Sequence, residues 1–105
     1  MTEKMVAVGA TSEFPEGDMR AVEIDGDEVL IVHQEGKFYA LPNDCTHAEY
    51  PLDDGELLDG KVKCLYHGAT FDLETGKATV PAIKKIRLYQ TDVREDTLFV
   101  NYQEV

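Results

Sequence analysis

The sequence has few basic residues, few cysteines, no tryptophan and no long apolar run, and these shortages exclude several classes of protein. Lys and Arg total 10 against 21 Asp and Glu, which gives a formal net charge of −11. Nucleic acids and anionic membranes are bound through basic surfaces, so this acidity argues against both partners. The longest aliphatic run covers only residues 29–32, which is far too short to span a bilayer.

Composition favours one small globular domain over residues 1–105. Hydrophobic residues make up 43% of the chain, which is too many for a disordered protein. No apolar segment typical of a secretory signal follows residues 1–5, so we predict a cytoplasmic protein. Cys45 and Cys64 could form one disulfide, but a reducing compartment makes that pairing a weak interpretation.

Short strand-like runs separated by turn residues predict an all-β fold. Asp25-Gly26 and Glu35-Gly36 stand between apolar runs, as expected for consecutive antiparallel hairpins. The run at 29–32 is apolar at every position and is predicted to be buried on both faces. The segment from 42 to about 60 lacks periodicity, and an irregular stretch of that length is usually functional or disordered. The predicted strands cover 4–9, 19–24, 28–34, 37–41, 61–64, 69–73, 85–94 and 97–102.

Two short motifs carry the chemistry. Cys45 and His47 form a C-x-H motif, and after sixteen residues Cys64 and His67 form a C-x-x-H motif. Both cysteines and two of the three histidines of the chain therefore fall in these pairs. Thiolate and imidazole suit soft and borderline transition metals, so two such pairs can hold one metal centre between them. A disulfide would leave the paired histidines unexplained.

Two metal centres compete for these four residues. Tetrahedral zinc accepts two Cys and two His ligands, but zinc fingers usually group like ligands together and place the histidines on a helix. Here each motif brings one Cys and one His. That arrangement suits a [2Fe–2S] cluster with Cys ligands on one iron and His ligands on the other.

The chain resembles the Rieske-type [2Fe–2S] ferredoxins, the electron carriers of bacterial ring-hydroxylating dioxygenase systems. The resemblance spans about residues 6–102 and rests on both motifs. It also rests on a G-x-x-F-D-x-x-T-G segment that begins at Gly68 and on Phe38-Tyr39-Ala40 before the first motif.

The resemblance implies a fold and a ligand set. It implies an antiparallel β-sandwich base that carries a small cluster-binding subdomain at about 43–82. Cys45 and Cys64 would ligate the inner iron of one [2Fe–2S] cluster, and His47 and His67 the outer iron. Neutral imidazoles leave the cluster less negative than four thiolates would, which raises its potential.

The resemblance also implies a low potential for a Rieske centre. High-potential relatives place a Ser two positions and a Tyr four positions after the second His, where their hydroxyls donate hydrogen bonds to sulfur. The equivalent residues here are Ala69 and Phe71, which have no hydroxyl. We therefore expect a potential near the lower end of the Rieske range, about −150 mV.

The function implied is one-electron transfer without catalysis. A monomer of this kind would take an electron from an NAD(P)H-dependent flavin reductase and pass it to a terminal oxygenase. One alternative is the ferredoxin of a di-iron monooxygenase. Another is a zinc-stabilised interaction module that transfers no electrons. An assembly subunit of the nitrite-reductase type is disfavoured. Such subunits often lack the ligands, whereas this chain retains all four candidate ligands.

Titratable residues outside the motifs receive more modest interpretations. His33 lies at the end of a buried strand and is predicted to be structural. An acidic collar around the first motif could orient a basic docking face on a partner. The collar consists of Asp44, Glu49, Asp53, Asp54, Glu56 and Asp59.

Overall fold

The computed structural model describes residues 5–43, 52–64, 69–78 and 88–102. Within these ranges the chain forms nine β-strands, two short 3-10 turns and no α-helix, which confirms the predicted all-β class. The 3-10 turns cover Thr11–Glu13 and Leu52–Asp54. The strands are β1 (Met5–Ala10), β2 (Asp18–Ile24), β3 (Asp27–Gln34), β4 (Lys37–Pro42), β5 (Glu56–Leu58), β6 (Lys61–Lys63), β7 (Thr70–Asp72), β8 (Gln90–Arg94) and β9 (Thr97–Asn101).

The strands form three antiparallel sheets of three strands each. Their orders are β1-β9-β8, β2-β3-β4 and β5-β6-β7. The turns at Asp25-Gly26 and Glu35-Gly36 have positive φ at both positions, which matches the two-residue turns that join twisted hairpin strands. The predicted consecutive hairpins are therefore confirmed.

Strand β3 lies between two hydrophobic cores. Leu30 and Val32 belong to one core, and Val29 and Ile31 to the other, each with at most 1% of its surface exposed. Successive side chains of a strand point to opposite faces, so a strand that is apolar at every position must be covered on both sides. The prediction for residues 29–32 is confirmed.

The two cores have different partners. The sandwich core joins the first two sheets and contains Phe14, Ile24, Val29, Ile31, Ala40, Leu98, Val100 and Tyr102. The β5–β7 core joins the β2-β3-β4 sheet to the third sheet and contains Leu30, Val32, Leu41, Leu52, Val62, Cys64, Ala69, Phe71 and Leu73. The predicted cluster-binding subdomain at about 43–82 stays a prediction, and the third sheet falls within that range.

Strand β5 lies inside the segment from 42 to about 60 that the sequence predicts to be irregular. It is three residues long and pairs with β6, from Glu56 opposite Lys63 to Leu58 opposite Lys61. Gly55 permits this pairing, because a Cβ at that position would lie 2.0 Å from the Lys63 carbonyl oxygen. A strand of this length presents too few residues to display an alternating pattern.

Strand β8 differs in length from the predicted strand 85–94. Strand β8 begins at Gln90, and residues 85–87 of the longer predicted strand lie outside the described residues.

The described ranges contain no helix that could span a bilayer.

Candidate metal centre

One predicted ligand, Cys64, lies in the described part of the chain. It directly follows β6, its side chain is fully buried, and it belongs to the β5–β7 core. Cys45, His47 and His67 lie outside the described residues. The structure therefore fixes the position of one predicted ligand and the ends of the two segments that contain the other three predicted ligands.

Strands β6 and β7 hold the ends of the second ligand segment, residues 65–68. Lys63 pairs with Thr70, and the Cys64 N–H donates a 2.7 Å hydrogen bond to the Ala69 carbonyl oxygen. Ala69 is also fully buried in the β5–β7 core. The segment that contains His67 thus begins and ends on one hairpin, beside the Cys64 thiol.

Asn43 brackets the first ligand segment, residues 44–51. Its side-chain amide donates to Asp53 Oδ1 at 2.9 Å and accepts from the Asp53 N–H at 2.8 Å. Its carbonyl oxygen accepts a further 3.2 Å bond from the Leu52 N–H. The two ends of the segment that contains Cys45 and His47 are therefore held together.

Both ligand segments end on the same core. Leu41 and Leu52 flank the first segment, Cys64 and Ala69 flank the second, and all four residues have no exposed surface. This common base brings the ends of the two segments together, as expected for two loops that hold one metal centre.

The apolar surroundings of Cys64 would require a bound cation if its sulfur acts as a thiolate ligand. Its core neighbours include Val62, Ala69 and Phe71, which offer no charge and no side-chain hydroxyl. The thiolate is the form that ligates metals, and a negative charge in apolar surroundings is costly unless a cation compensates it. A cationic iron bound to Cys64 would supply that compensation.

The residues after β7 explain the F-D-x-x-T-G pattern. Asp72 Oδ1 accepts hydrogen bonds from the N–H groups of Glu74 and Thr75, and the Gly76 N–H donates to the Asp72 carbonyl oxygen. Gly76 has a φ of +77°, which favours glycine. The two backbone bonds to its carboxylate hold the pKa of Asp72 below its ordinary value. The pattern therefore serves a tight turn rather than metal binding.

Comparison with protein families identifies the centre. The profile of the Rieske [2Fe-2S] domain matches residues 4–90. The chain belongs to this family. Membership implies one [2Fe–2S] cluster in the chain, and zinc, which the ligand spacing left open, is set aside.

Several ferredoxins match this Rieske protein over nearly their whole length. The ferredoxin component of the naphthalene 1,2-dioxygenase system of Pseudomonas aeruginosa is 33% identical over 102 residues, which cover 96% of this chain and 98% of the relative. The ferredoxin of carbazole 1,9a-dioxygenase from Nocardioides aromaticivorans IC177 has a TM-score of 0.89 and 31% identity, covering 95% of this chain and 99% of that one. One chain of the complex of reduced oxygenase and oxidized ferredoxin in carbazole 1,9a-dioxygenase matches with a TM-score of 0.87 and 26% identity. The match covers 92% of this chain and 92% of that one.

Two polar residues that link separate elements of the fold were not predicted from the sequence. Gln34 donates to the Leu58 carbonyl oxygen at 2.8 Å and accepts from the Gly60 N–H at 2.7 Å, which joins β3 to the β5–β6 turn. Nothing in the sequence links Gln34 to that turn. Asn43 stands two residues before Cys45, and a short polar residue beside a loop is a common local hydrogen-bonding group, so this signal was available.

His33 and the acidic collar were also predicted. His33 Nδ1 lies 2.8 Å from the Phe14 carbonyl oxygen and the ring stacks on Phe38 at 4.1 Å, in keeping with a structural role. Asp53, Glu56 and Asp59 of the collar are exposed. Asp44 and Glu49 lie outside the described residues.

Proposed function

We propose that Cys45, His47, Cys64 and His67 hold the [2Fe–2S] cluster of a low-potential ferredoxin. In this proposal the protein receives single electrons from an NAD(P)H-dependent flavin reductase and delivers them to a terminal oxygenase. The observation that carries this proposal is the match to a ferredoxin component of a dioxygenase system, which covers 98% of that relative's length. A chain that matches a dedicated carrier end to end is suited to the same task.

The bound cluster supplies the chemistry, since it can accept and release one electron. The residues of the chain supply its surroundings. The β5–β7 core excludes water from the Cys64 side of the site, because Val62, Cys64 and Phe71 have no exposed surface. Ala69 and Phe71 offer no side-chain hydroxyl there, so they provide no extra donor that would stabilise a reduced centre. This supports the low potential that we propose.

We infer the cellular compartment from the proposed electron donor and from the proposed thiolate ligands. NAD(P)H-linked electron supply and unoxidised thiolates both suit a reducing compartment, so we place the protein in the cytoplasm. We propose that it acts as a monomer, with the reductase and the oxygenase as protein partners that bind in turn.

Anaerobic reduction of the purified protein tests the ligand set. We expect about two irons and two acid-labile sulfides per chain and a rhombic EPR signal on reduction. The variants C64A and H67A should lose the cluster. The matched control H33Q removes the one histidine outside the motifs and should retain it. A wild-type protein that holds zinc, or that lacks labile sulfide, would overturn the proposal.

Reconstitution with partners separates the candidate acceptors. The reduced protein is mixed with a ring-hydroxylating dioxygenase or with a di-iron monooxygenase, and reoxidation is followed at the visible absorption of the cluster. Rapid, product-coupled reoxidation by the dioxygenase supports the proposal. Coupling to the monooxygenase alone would assign the protein to the second kind of system.

A further inference from the structure

We propose that Asn43 and Asp53 form a clasp that positions the segment carrying Cys45 and His47 for cluster binding. Asn43 is thus a positioning residue and not a ligand. The inference rests on the ligand set proposed above. It assigns a task to two polar residues that lie outside both motifs.

The main-chain N–H, the main-chain carbonyl oxygen and both polar atoms of the Asn43 side chain all form hydrogen bonds. The side-chain bonds to Asp53 measure 2.9 and 2.8 Å. The Asn43 carbonyl oxygen accepts from the Leu52 N–H at 3.2 Å, and the Asn43 N–H donates to the Glu28 carbonyl oxygen at 3.1 Å. Asn43 is therefore fixed to β3 on one side and to the far end of the ligand segment on the other.

Burial makes these bonds costly to lose. Asn43 has 1% of its surface exposed, so water cannot replace a missing partner. Leu41 and Leu52, with no exposed surface, anchor the chain on either side of the clasp. The ends of the eight-residue segment 44–51 are therefore set by buried groups.

Closing the ends of a short segment restricts the positions that its side chains can reach. Each bond that fixes the ends removes conformational freedom that cluster binding would otherwise have to remove. Metal ligands must also be held within about 0.5 Å of their productive geometry by groups around them. The second segment has an equivalent closure in the bond from the Cys64 N–H to the Ala69 carbonyl oxygen, at 2.7 Å.

The chemistry of the pair dictates how it can be tested. The Asn43 amide donates one of its N–H groups to the Asp53 carboxylate and accepts from the Asp53 N–H through its oxygen. N43D places two carboxylates face to face and removes the donor. In the double variant N43D/D53N the amide at position 53 can donate to the carboxylate at position 43, which still accepts from the N–H of residue 53, and the composition equals that of the wild type.

The experiment compares N43A, N43D, N43D/D53N and the control Q34A. Gln34 is a suitable control because its amide also makes two hydrogen bonds between separate elements, but at the β5–β6 turn rather than at a ligand segment. Iron and sulfide content, the visible circular dichroism and EPR of the cluster, and the half-time of cluster loss to a chelator are measured. Thermal unfolding reports fold stability separately.

We expect N43A and N43D to lose the cluster about tenfold faster than wild type, or more, and to alter its spectra. The double variant should return to within about threefold of the wild-type half-time. Q34A should lower thermal stability while leaving the spectra and the half-time unchanged.

Three outcomes would overturn the clasp. They are a wild-type half-time in N43A, no recovery in the double variant, or an equal loss in Q34A, which would mean that general stability alone is being measured. If the wild-type protein itself contained no iron and sulfide, the ligand set would fail as well. The clasp fails alone when the wild type holds its cluster and the clasp variants hold it equally well.

Discussion

The Tyr39 hydroxyl donates a 2.7 Å hydrogen bond to Glu74 Oε1, which ties strand β4 to the turn after β7. Burial of the ring raises the pKa of Tyr39 to about 12, with the hydrogen bond and the charge of Glu74 as further causes. Because the folded-state pKa lies above the ordinary value of 10.0, this stabilisation is complete below about pH 10 and is lost as the pH rises toward 12. We expect the stability advantage of the wild type over Y39F to shrink over that interval, as measured by chemical unfolding.

The variant E74Q provides the control for this titration. Removing the carboxylate should lower the pKa of Tyr39 while leaving it above the ordinary value, since burial is the larger cause. Absorbance of tyrosinate during an alkaline titration, with Y39F subtracted, measures this directly. A pKa for Tyr39 that is equal in E74Q and wild type would contradict the role of Glu74.

The contribution of Asp72 to folding stability should depend on pH in the opposite sense, being lost at acid pH. The N–H groups of Glu74 and Thr75 hold the pKa of Asp72 below its ordinary value of 3.8. A lowered folded-state pKa stabilises the protein above the unfolded value, and this stabilisation is lost as the pH falls through the folded one. D72N keeps the Oδ1 acceptor but not the charge, so we expect a lower melting temperature at neutral pH and a difference that closes as the solution is acidified below the folded-state pKa.

The exposed carboxylate Asp59 offers a matched control for that experiment. D59N removes one exposed charge from the β5–β6 turn and leaves both N–H bonds to Asp72 Oδ1 in place. Its melting temperature should follow that of the wild type across the acid range. If D59N and D72N behaved alike, net charge rather than the turn of Asp72 would explain the effect.

Local patterns in the sequence were enough to predict most of the sheet structure. The apolar run at 29–32 specified a strand covered on both faces, and Asp25-Gly26 specified a tight hairpin turn, because both signals act between near neighbours. The ligand pairs were named from spacing. All four ligands stay predictions; Cys64, the one in the described part of the chain, is buried directly after β6.

Long-range polar contacts could not be predicted in the same way. Gln34 bonds to Leu58 and Gly60, which lie 24 and 26 residues further along the chain. Such contacts leave no periodic trace, since only folding brings the two elements together. Strand β5 escaped for a related reason, because its three residues are stabilised by pairing with β6 rather than by a pattern of their own.

Phe71 offers a test of the low potential. It is fully buried in the same core as Cys64, at the position where high-potential relatives carry a tyrosine hydroxyl. The variant F71Y introduces a hydroxyl into the core that contains Cys64, where a hydrogen bond to a ligating sulfur should favour the reduced state. One hydrogen bond of about 1.4 kcal/mol corresponds to about 60 mV for a one-electron centre, so we expect an upward shift of that order in protein-film voltammetry.

The control for this shift is F99Y. Phe99 lies in β9, away from the β5–β7 core, so the same added hydroxyl should leave the potential unchanged. A potential in F71Y that is unchanged or lower than in wild type would contradict the assignment of Phe71 as the missing donor position.

The exposed carboxylates Glu56 and Asp59 predict a salt-dependent encounter with partners. Both residues belong to the described part of the acidic collar. Exposed charges act on a partner only within about one Debye length, which falls from about 10 Å at 0.1 M salt to about 3 Å at 1 M. If the collar orients a basic docking face, E56Q/D59N should slow electron transfer about threefold at low salt and flatten its salt dependence. Stopped-flow reoxidation by the oxygenase measures both effects. The variant E95Q/D96N removes two charges from the β8–β9 turn of another sheet, and an equal effect there would assign the salt dependence to net charge instead of the collar.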